Sequence, residues 1–185
     1  MEPDLAAVTH RFARSRSAPY AVSVATTAES LLSKLRAPGT APVHQIGIVV
    51  ASCDDAVTRY TALLGYNEWR RSTFGPEDVG RMTLRGADAE YSMRLAFAGS
   101  APELELIEPA GGDSLYSEWL AERGEGLHHL AVVVGSLDET TETMERAGFA
   151  NIQSGHGFAP DGKGGYAYFD TVDALGFILE AVEMP

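Results

Sequence analysis

Apolar and β-branched residues gather along the chain into runs of strand length, and two of these runs match each other in residue type and order. The first is His44-Gln45-Ile46-Gly47-Ile48-Val49-Val50 and the second His128-His129-Leu130-Ala131-Val132-Val133-Val134. Each leads into an acidic segment that reads as a helix start: Ser52-Cys53-Asp54-Asp55 and Ser136-Leu137-Asp138-Glu139. A serine hydroxyl there takes up a free backbone N–H, and carboxylates suit the positive end of a helix. Both predicted helices stop at glycine, Gly65 after Leu63-Leu64 and Gly148 after Arg146-Ala147, where a left-handed C-terminal cap favours that residue.

Strand-like segments follow each helix: 66–74, 81–85, 91–98 and 103–108 in the first copy, and 149–153, 166–171 and 176–182 in the second. The copies close alike, since Leu104-Glu105-Leu106-Ile107-Glu108 matches Leu179-Glu180-Ala181-Val182-Glu183. The pattern predicts an α+β fold of tandem βαβββ modules forming an incurved mixed sheet around a cavity. Module one spans 43–109, a linker with a helix over 115–122 spans 110–126, and module two spans 127–185. Residues 1–42 read as an N-terminal extension and linker, with a short helix over 28–36 suggested by Leu31, Leu32 and Leu35 and a Pro/Gly-punctuated stretch after it.

Composition narrows the function classes. With 185 residues and 45% hydrophobic content, the chain suffices for one ordinary domain. Its 14 basic and 26 acidic residues give a net charge of -12, so nucleic acid and anionic membranes are not expected partners. The longest apolar runs, 46–51 and 130–134, fall far short of the roughly 20 residues a spanning helix needs. The single cysteine, Cys53, cannot form an internal disulfide, and the N-terminus lacks the layout of a secretory signal, so a cytoplasmic location is expected.

The repeat also carries the candidate chemistry. Side chains alternate across a strand, so Gln45 and His129 occupy one repeat-equivalent position and Glu105 and Glu180 another. Paired about a pseudo-twofold axis, these four would converge on the concave face as a mixed N/O ligand set for a divalent cation. A glutamate between Leu104 and Leu106, or between Leu179 and Ala181, is costly to bury without such a partner. His44 and His128, one residue earlier, are the competing pair, and strict alternation lets only one of each pair face the cavity. The small residues Gly47 and Ala131 favour Gln45 and His129.

These motifs, together with Gly124-Glu125-Gly126-Leu127-His128-His129-Leu130-Ala131 and Tyr168-Phe169-Asp170-Thr171, resemble the vicinal oxygen chelate superfamily over residues 43–183. That superfamily includes glyoxalase I, methylmalonyl-CoA epimerase, extradiol dioxygenases and bleomycin- or fosfomycin-resistance proteins, and the likeness is nearest the epimerase-like branch. The resemblance implies metal ligands at Gln45, Glu105, His129 and Glu180, with Gln45 standing where glyoxalases and epimerases usually carry histidine. It also implies a homodimer and a small-molecule substrate.

Three functions follow as expectations. In the first, a divalent cation (Mn, Co, Ni, Zn, Mg or Fe) polarises a small carbonyl- or hydroxy-containing substrate while Glu180 or Glu105 moves a proton, making the protein an isomerase, epimerase or lyase. The second is a metal-free protein that binds an antibiotic or natural product between aromatic walls built from Tyr66, Trp69, Phe74, Tyr91, Phe97, Tyr166, Tyr168 and Phe169. The third is an Fe(II) dioxygenase using His44, His129 and Glu180. His156, in the glycine-rich stretch 154–165 read as a cover over the sheet, is an auxiliary acid or base candidate, and Arg70 and Arg71 are anion-contact candidates for a coenzyme A thioester.

Overall fold

The structure, a computed structural model, describes residues 43–100 and 102–185. The expected N-terminal extension and its candidate helix lie outside these residues. The elements run β1 (Gln45–Val49), α1 (Cys53–Leu64), β2 (Arg70–Phe74), β3 (Arg81–Leu84), β4 (Ala87–Asp88), β5 (Ser92–Ala98), β6 (Glu103–Gly111), α2 (Leu115–Arg123), β7 (Gly126–Val134), α3 (Leu137–Arg146), β8 (Asn151–His156), β9 (Gly165–Phe169), α4 (Val172–Leu175) and β10 (Ile178–Glu183). The helix starts are those the sequence signals. Ser52 Oγ accepts the Asp55 N–H and Ser136 Oγ accepts the Glu139 N–H, both at 3.2 Å. Gly65 ends α1 at φ +77°, a conformation that costs any residue with a Cβ.

All described strands join one mixed sheet in the order β2-β5-β6-β1-β7-β10-β9-β8-β3-β4. Within each module the first strand lies parallel to the last, β1 to β6 and β7 to β10, and the modules meet where β1 and β7 pair antiparallel. The α+β fold of paired modules around a concave face is therefore the one the repeat implies. Each long helix covers the back of its own module. One back core holds Val50, Cys53, Ala56, Ala96 and Leu106, and the other Val134, Leu137, Met144, Ala167, Phe169 and Ala181. A third core fills the concave side with Tyr91, Met93, Ile107, Tyr116, Tyr166, Tyr168 and Ile178, the linking helix α2 supplying Tyr116.

Three details depart from the sequence pattern. The segment from Tyr66 is no strand until Arg70, because the Trp69 indole donates to Thr61 Oγ1 at 2.9 Å and turns the chain back onto α1. The hairpin β3–β4 leaves its own module and pairs with β8 of the second one. The glycine-rich stretch is also shorter as a loop than expected, since Ser154–His156 belongs to β8 and Gly165 opens β9, leaving 157–164 as the connection. Among the described residues no helix is long and apolar enough to cross a membrane.

Candidate metal centre

Register settles which side chains share the concave face. Across the β1–β7 seam Gly47 opposes His129, Ile46 opposes Leu130 and Gln45 opposes Ala131. Exchanging the modules turns the first of these pairs into the last, so the pseudo-twofold axis passes through Ile46 and Leu130. Gly47 also opposes Glu105, and Ala131 also opposes Glu180. Opposed residues point to the same face of a sheet, so Gln45, Glu105, His129 and Glu180 all project to the concave side. His44, one residue earlier, alternates to the other face, and the triad His44, His129 and Glu180 is not assembled.

In the second module, alternation gives way. The register shifts so that Ile48 opposes Leu127 while Gly47 opposes His129, leaving His128 as the extra residue of a β-bulge. A bulge re-aims a side chain and breaks the period of two. Both histidines therefore turn to the concave side, with their Nδ1 atoms 3.0 Å apart. The expectation that only one of this pair faces the cavity is overturned for that reason. His128 sits among the rings of Tyr116, Trp119 and Tyr168, at centroid distances of 5.2, 5.1 and 5.8 Å.

His129 Nε2 lies 3.3 Å from Glu105 Oε2 and 3.1 Å from Glu180 Oε2. The ring is 0% exposed, Glu105 9% and Glu180 5%, so the three form a buried ionisable group. Burial pushes the Glu105 carboxyl above its ordinary range, against the pull of His129. Burial alone would lower His129, but the negative charge of Glu180 and the contact with Glu105 outweigh it and raise the imidazole to about 9. Despite the short distances, His129 Nε2 and Glu180 Oε2 have no hydrogen-bond partner among the described residues, because the approach lies off the ring N–H axis. Gly47 makes room for the ring: a Cβ there would stand 2.0 Å from His129 Cε1.

These observations fit a divalent cation. Metal–ligand bonds of about 2.0–2.2 Å place neighbouring donors about 3 Å apart, which is the spacing of His129 Nε2 from the two carboxylate oxygens. A nitrogen and an oxygen that are buried, close and not hydrogen-bonded are what a shared ion would satisfy. In the structure the three side chains close on one another as an ion pair, and among the described residues no group of three or more His, Cys, Asp or Glu side chains is arranged to hold a metal ion as it stands. Gln45 is half-buried on the same face and makes no side-chain hydrogen bond within the described residues.

The remaining candidates are dispersed. His156 ends β8, where Gly155 opposes the concave-facing Tyr166, so alternation sends His156 to the opposite face. Arg70 pairs with Glu103 and lies over the Phe97 ring, and Arg71 pairs with Asp54. Burial raises the Cys53 thiol to about 11, and its Sγ–H faces the Arg94 and Leu106 carbonyls. Of the expected aromatic walls, Tyr91, Tyr166, Tyr168 and Phe74 border the concave core, whereas Trp69 and Phe169 pack behind the sheet. Tyr116 belongs to the site's surroundings but gave no sequence signal, and His128, a candidate only as the alternative to His129, joins it on the same face, because neither the position of α2 nor the bulge is written in a residue pattern.

The paired-module sheet with one mixed His–carboxylate cluster at the module seam defines a class of protein, and comparison identifies it. Residues 44–169 match the model of the Glyoxalase/Bleomycin resistance protein/Dioxygenase superfamily, and the chain belongs to that family. It is 33% identical over 104 residues to the uncharacterized protein YqjC of Bacillus subtilis, a match spanning 55% of this chain and 64% of that protein. Among solved structures it is similar to methylmalonyl-CoA epimerase from Mycobacterium tuberculosis, with 23% identity, coverage of 82% of this chain and 95% of that one, and a TM-score of 0.56. A variant methylmalonyl-CoA epimerase from Streptomyces coelicolor in complex with 2-nitronate-propionyl-CoA shares 23% identity, 78% and 95% coverage and a TM-score of 0.55. At such identity these likenesses establish the fold.

Proposed function

We propose that the protein is a divalent-metal-dependent enzyme that moves a proton next to a carbonyl, as an isomerase, epimerase or lyase acting on a small carbonyl- or hydroxy-containing substrate. The observation that carries this reading is the buried meeting of His129 Nε2 with Glu105 and Glu180 at 3.3 and 3.1 Å. A cation held by Glu105, His129 and Glu180, with Gln45 as a fourth donor, would supply Lewis-acid polarisation of a substrate oxygen. The chain's own contribution is basicity and enclosure. Glu105, raised by burial, or Glu180, on the other side of the His129 ring, would take a proton from carbon and return it once released from the ion. The phenols of Tyr91, Tyr116, Tyr166 and Tyr168, raised by burial, stay protonated beside the cluster, with one O–H of each pair, Tyr91–Tyr166 and Tyr116–Tyr168, spent on its neighbour. The solved epimerases of the same fold support this reaction class, and thioesters of branched malonic acids are the first substrates to try.

A second reading, binding of a small molecule without turnover, draws on the tyrosine wall. The Tyr91 and Tyr166 hydroxyls meet at 2.7 Å and the Tyr116 hydroxyl donates to Tyr168 at 2.8 Å, giving an aromatic surface with few polar anchors. One experiment separates the two. Purified protein is analysed for bound metal and incubated in heavy water with a panel of 2-substituted thioesters and 2-oxo acids, and carbon-bound deuterium is followed by NMR. Deuterium uptake that ceases on chelation and returns with a divalent cation is expected; full exchange by metal-stripped protein overturns the metal-dependent mechanism. Ligand binding with no exchange in any member favours the second reading.

A further inference from the structure

The pair His128 and His129 contains a proton the reaction does not consume. Two imidazole Nδ1 atoms 3.0 Å apart can share one hydrogen bond only if one carries the proton and the other offers a lone pair. Which is which follows from the other end of His128. Its Nε2 is buried without a polar partner among the described residues, in surroundings made by the Tyr116, Trp119 and Tyr168 rings. Among aromatic rings an N–H finds weak attraction at a π face, whereas a lone pair finds none there. His128 therefore carries its proton on Nε2, and its Nδ1 is the acceptor.

We propose that His128 is a positioning residue: its Nδ1 accepts the hydrogen bond from His129 Nδ1–H and so keeps His129 in the form whose Nε2 can offer a lone pair to a divalent cation between Glu105 and Glu180. This rests on the reading of His129 as a metal ligand. The β-bulge is the backbone device that makes the contact, since without it consecutive strand residues face opposite ways. Outer partners of this kind fix the ring orientation of a ligating histidine, and their loss typically costs about 10–100-fold in metal affinity.

The test uses two variants. His128→Asn keeps an acceptor oxygen near the place of Nδ1, and His128→Phe keeps a planar ring without one. Nitrogen-15 NMR of the imidazoles in metal-free protein at about pH 10, above the value of about 9 at which His129 gives up its second proton, reads the proton positions directly, and calorimetric titration with Zn(II) reads affinity. Wild type is expected to show Nδ1–H on His129 and a bare Nδ1 on His128. His128→Asn is expected to retain the His129 Nδ1–H and Zn(II) affinity within about threefold, and His128→Phe to lose both, the affinity by about 10–100-fold. A bare Nδ1 on His129 in wild type, or the same proton pattern in a folded His128→Phe protein, overturns the proposal. Wild type that shows the expected pattern but takes up no divalent ion supports the proton assignment and removes the metal reading, so the two failures are distinguishable.

Discussion

Replacing Gly47 with alanine adds one methyl group where the structure leaves none of the room it needs. A Cβ there would lie 2.0, 2.2 and 2.4 Å from His129 Cε1, Nε2 and Nδ1. Ordinary contact begins near 3.4 Å, so the ring must retreat by about 1.4 Å, the difference from the shortest of these distances. It has nowhere to go, because His129 is fully buried and packs edge-on against Tyr168 and His128 at centroid distances of 5.1 and 5.3 Å. Overpacking of this kind costs about 1–3 kcal/mol, which for a domain of this size lowers Tm by roughly 2–12 °C. Moving Nε2 by an ångström also spoils its approach to Glu105 and Glu180, and a loss of Zn(II) affinity of at least about tenfold is expected. Thermal unfolding and metal titration of Gly47→Ala read the two effects separately. His129→Ala in the same background removes the obstacle, so a double-mutant cycle should show the stability cost of the methyl largely vanish. A Gly47→Ala protein with wild-type Tm and wild-type metal affinity would refute the close packing of ring on backbone from which the centre is argued.

Gln153→Leu should destabilise the fold by about 1–3 kcal/mol in urea unfolding, because the buried Gln153 Oε1 accepts the Leu115 N–H at 2.8 Å and leucine leaves that donor unpaired at the start of α2. Cys53 should react with a disulfide reagent at pH 8 far more slowly in native than in unfolded protein, since burial holds its thiol up to about 11. The same shift has a sign in stability: raised from 9.0, the thiol favours the folded state below that value, and the advantage is lost as pH rises from about 9 to about 11. Cys53→Ala should therefore show a flatter alkaline limb in a pH series of unfolding curves. His156→Gln should leave any turnover within twofold of wild type, its side chain being on the sheet face away from His129; a tenfold loss in steady-state assays would count against that placement.

Much of this arrangement could be read from the chain because repetition exposes it. Ser52 with Gly65, and Ser136 with Gly148, bracket the two long helices with local chemistry, and local chemistry is legible without a partner strand. The equivalence of Glu105 and Glu180 likewise needed only the matching ends of the modules. The bulge at His128 did not yield to the same reasoning. It is a relation between two strands, β1 and β7, and the period of two on which face assignment rests fails just where a residue is inserted. The excursion of β3 to β8 is equally hidden, since Arg81–Leu84 looks like any strand and nothing in it names a distant neighbour. Tyr116 escaped notice because a tyrosine on a short linker helix gives no hint of which face of the sheet the helix will cover.

That excursion also bears on how the chain is made. Strands of the first module flank those of the second on both sides, β1 at one seam and the β3–β4 hairpin at the other. A nascent chain emerging from the ribosome holds the hairpin long before Asn151–His156 exists to receive it. The early half must therefore wait with an unmatched ribbon, and the last part of synthesis closes both seams together. Neither half completes its part of the sheet without the other, so unfolding should proceed as a single cooperative event.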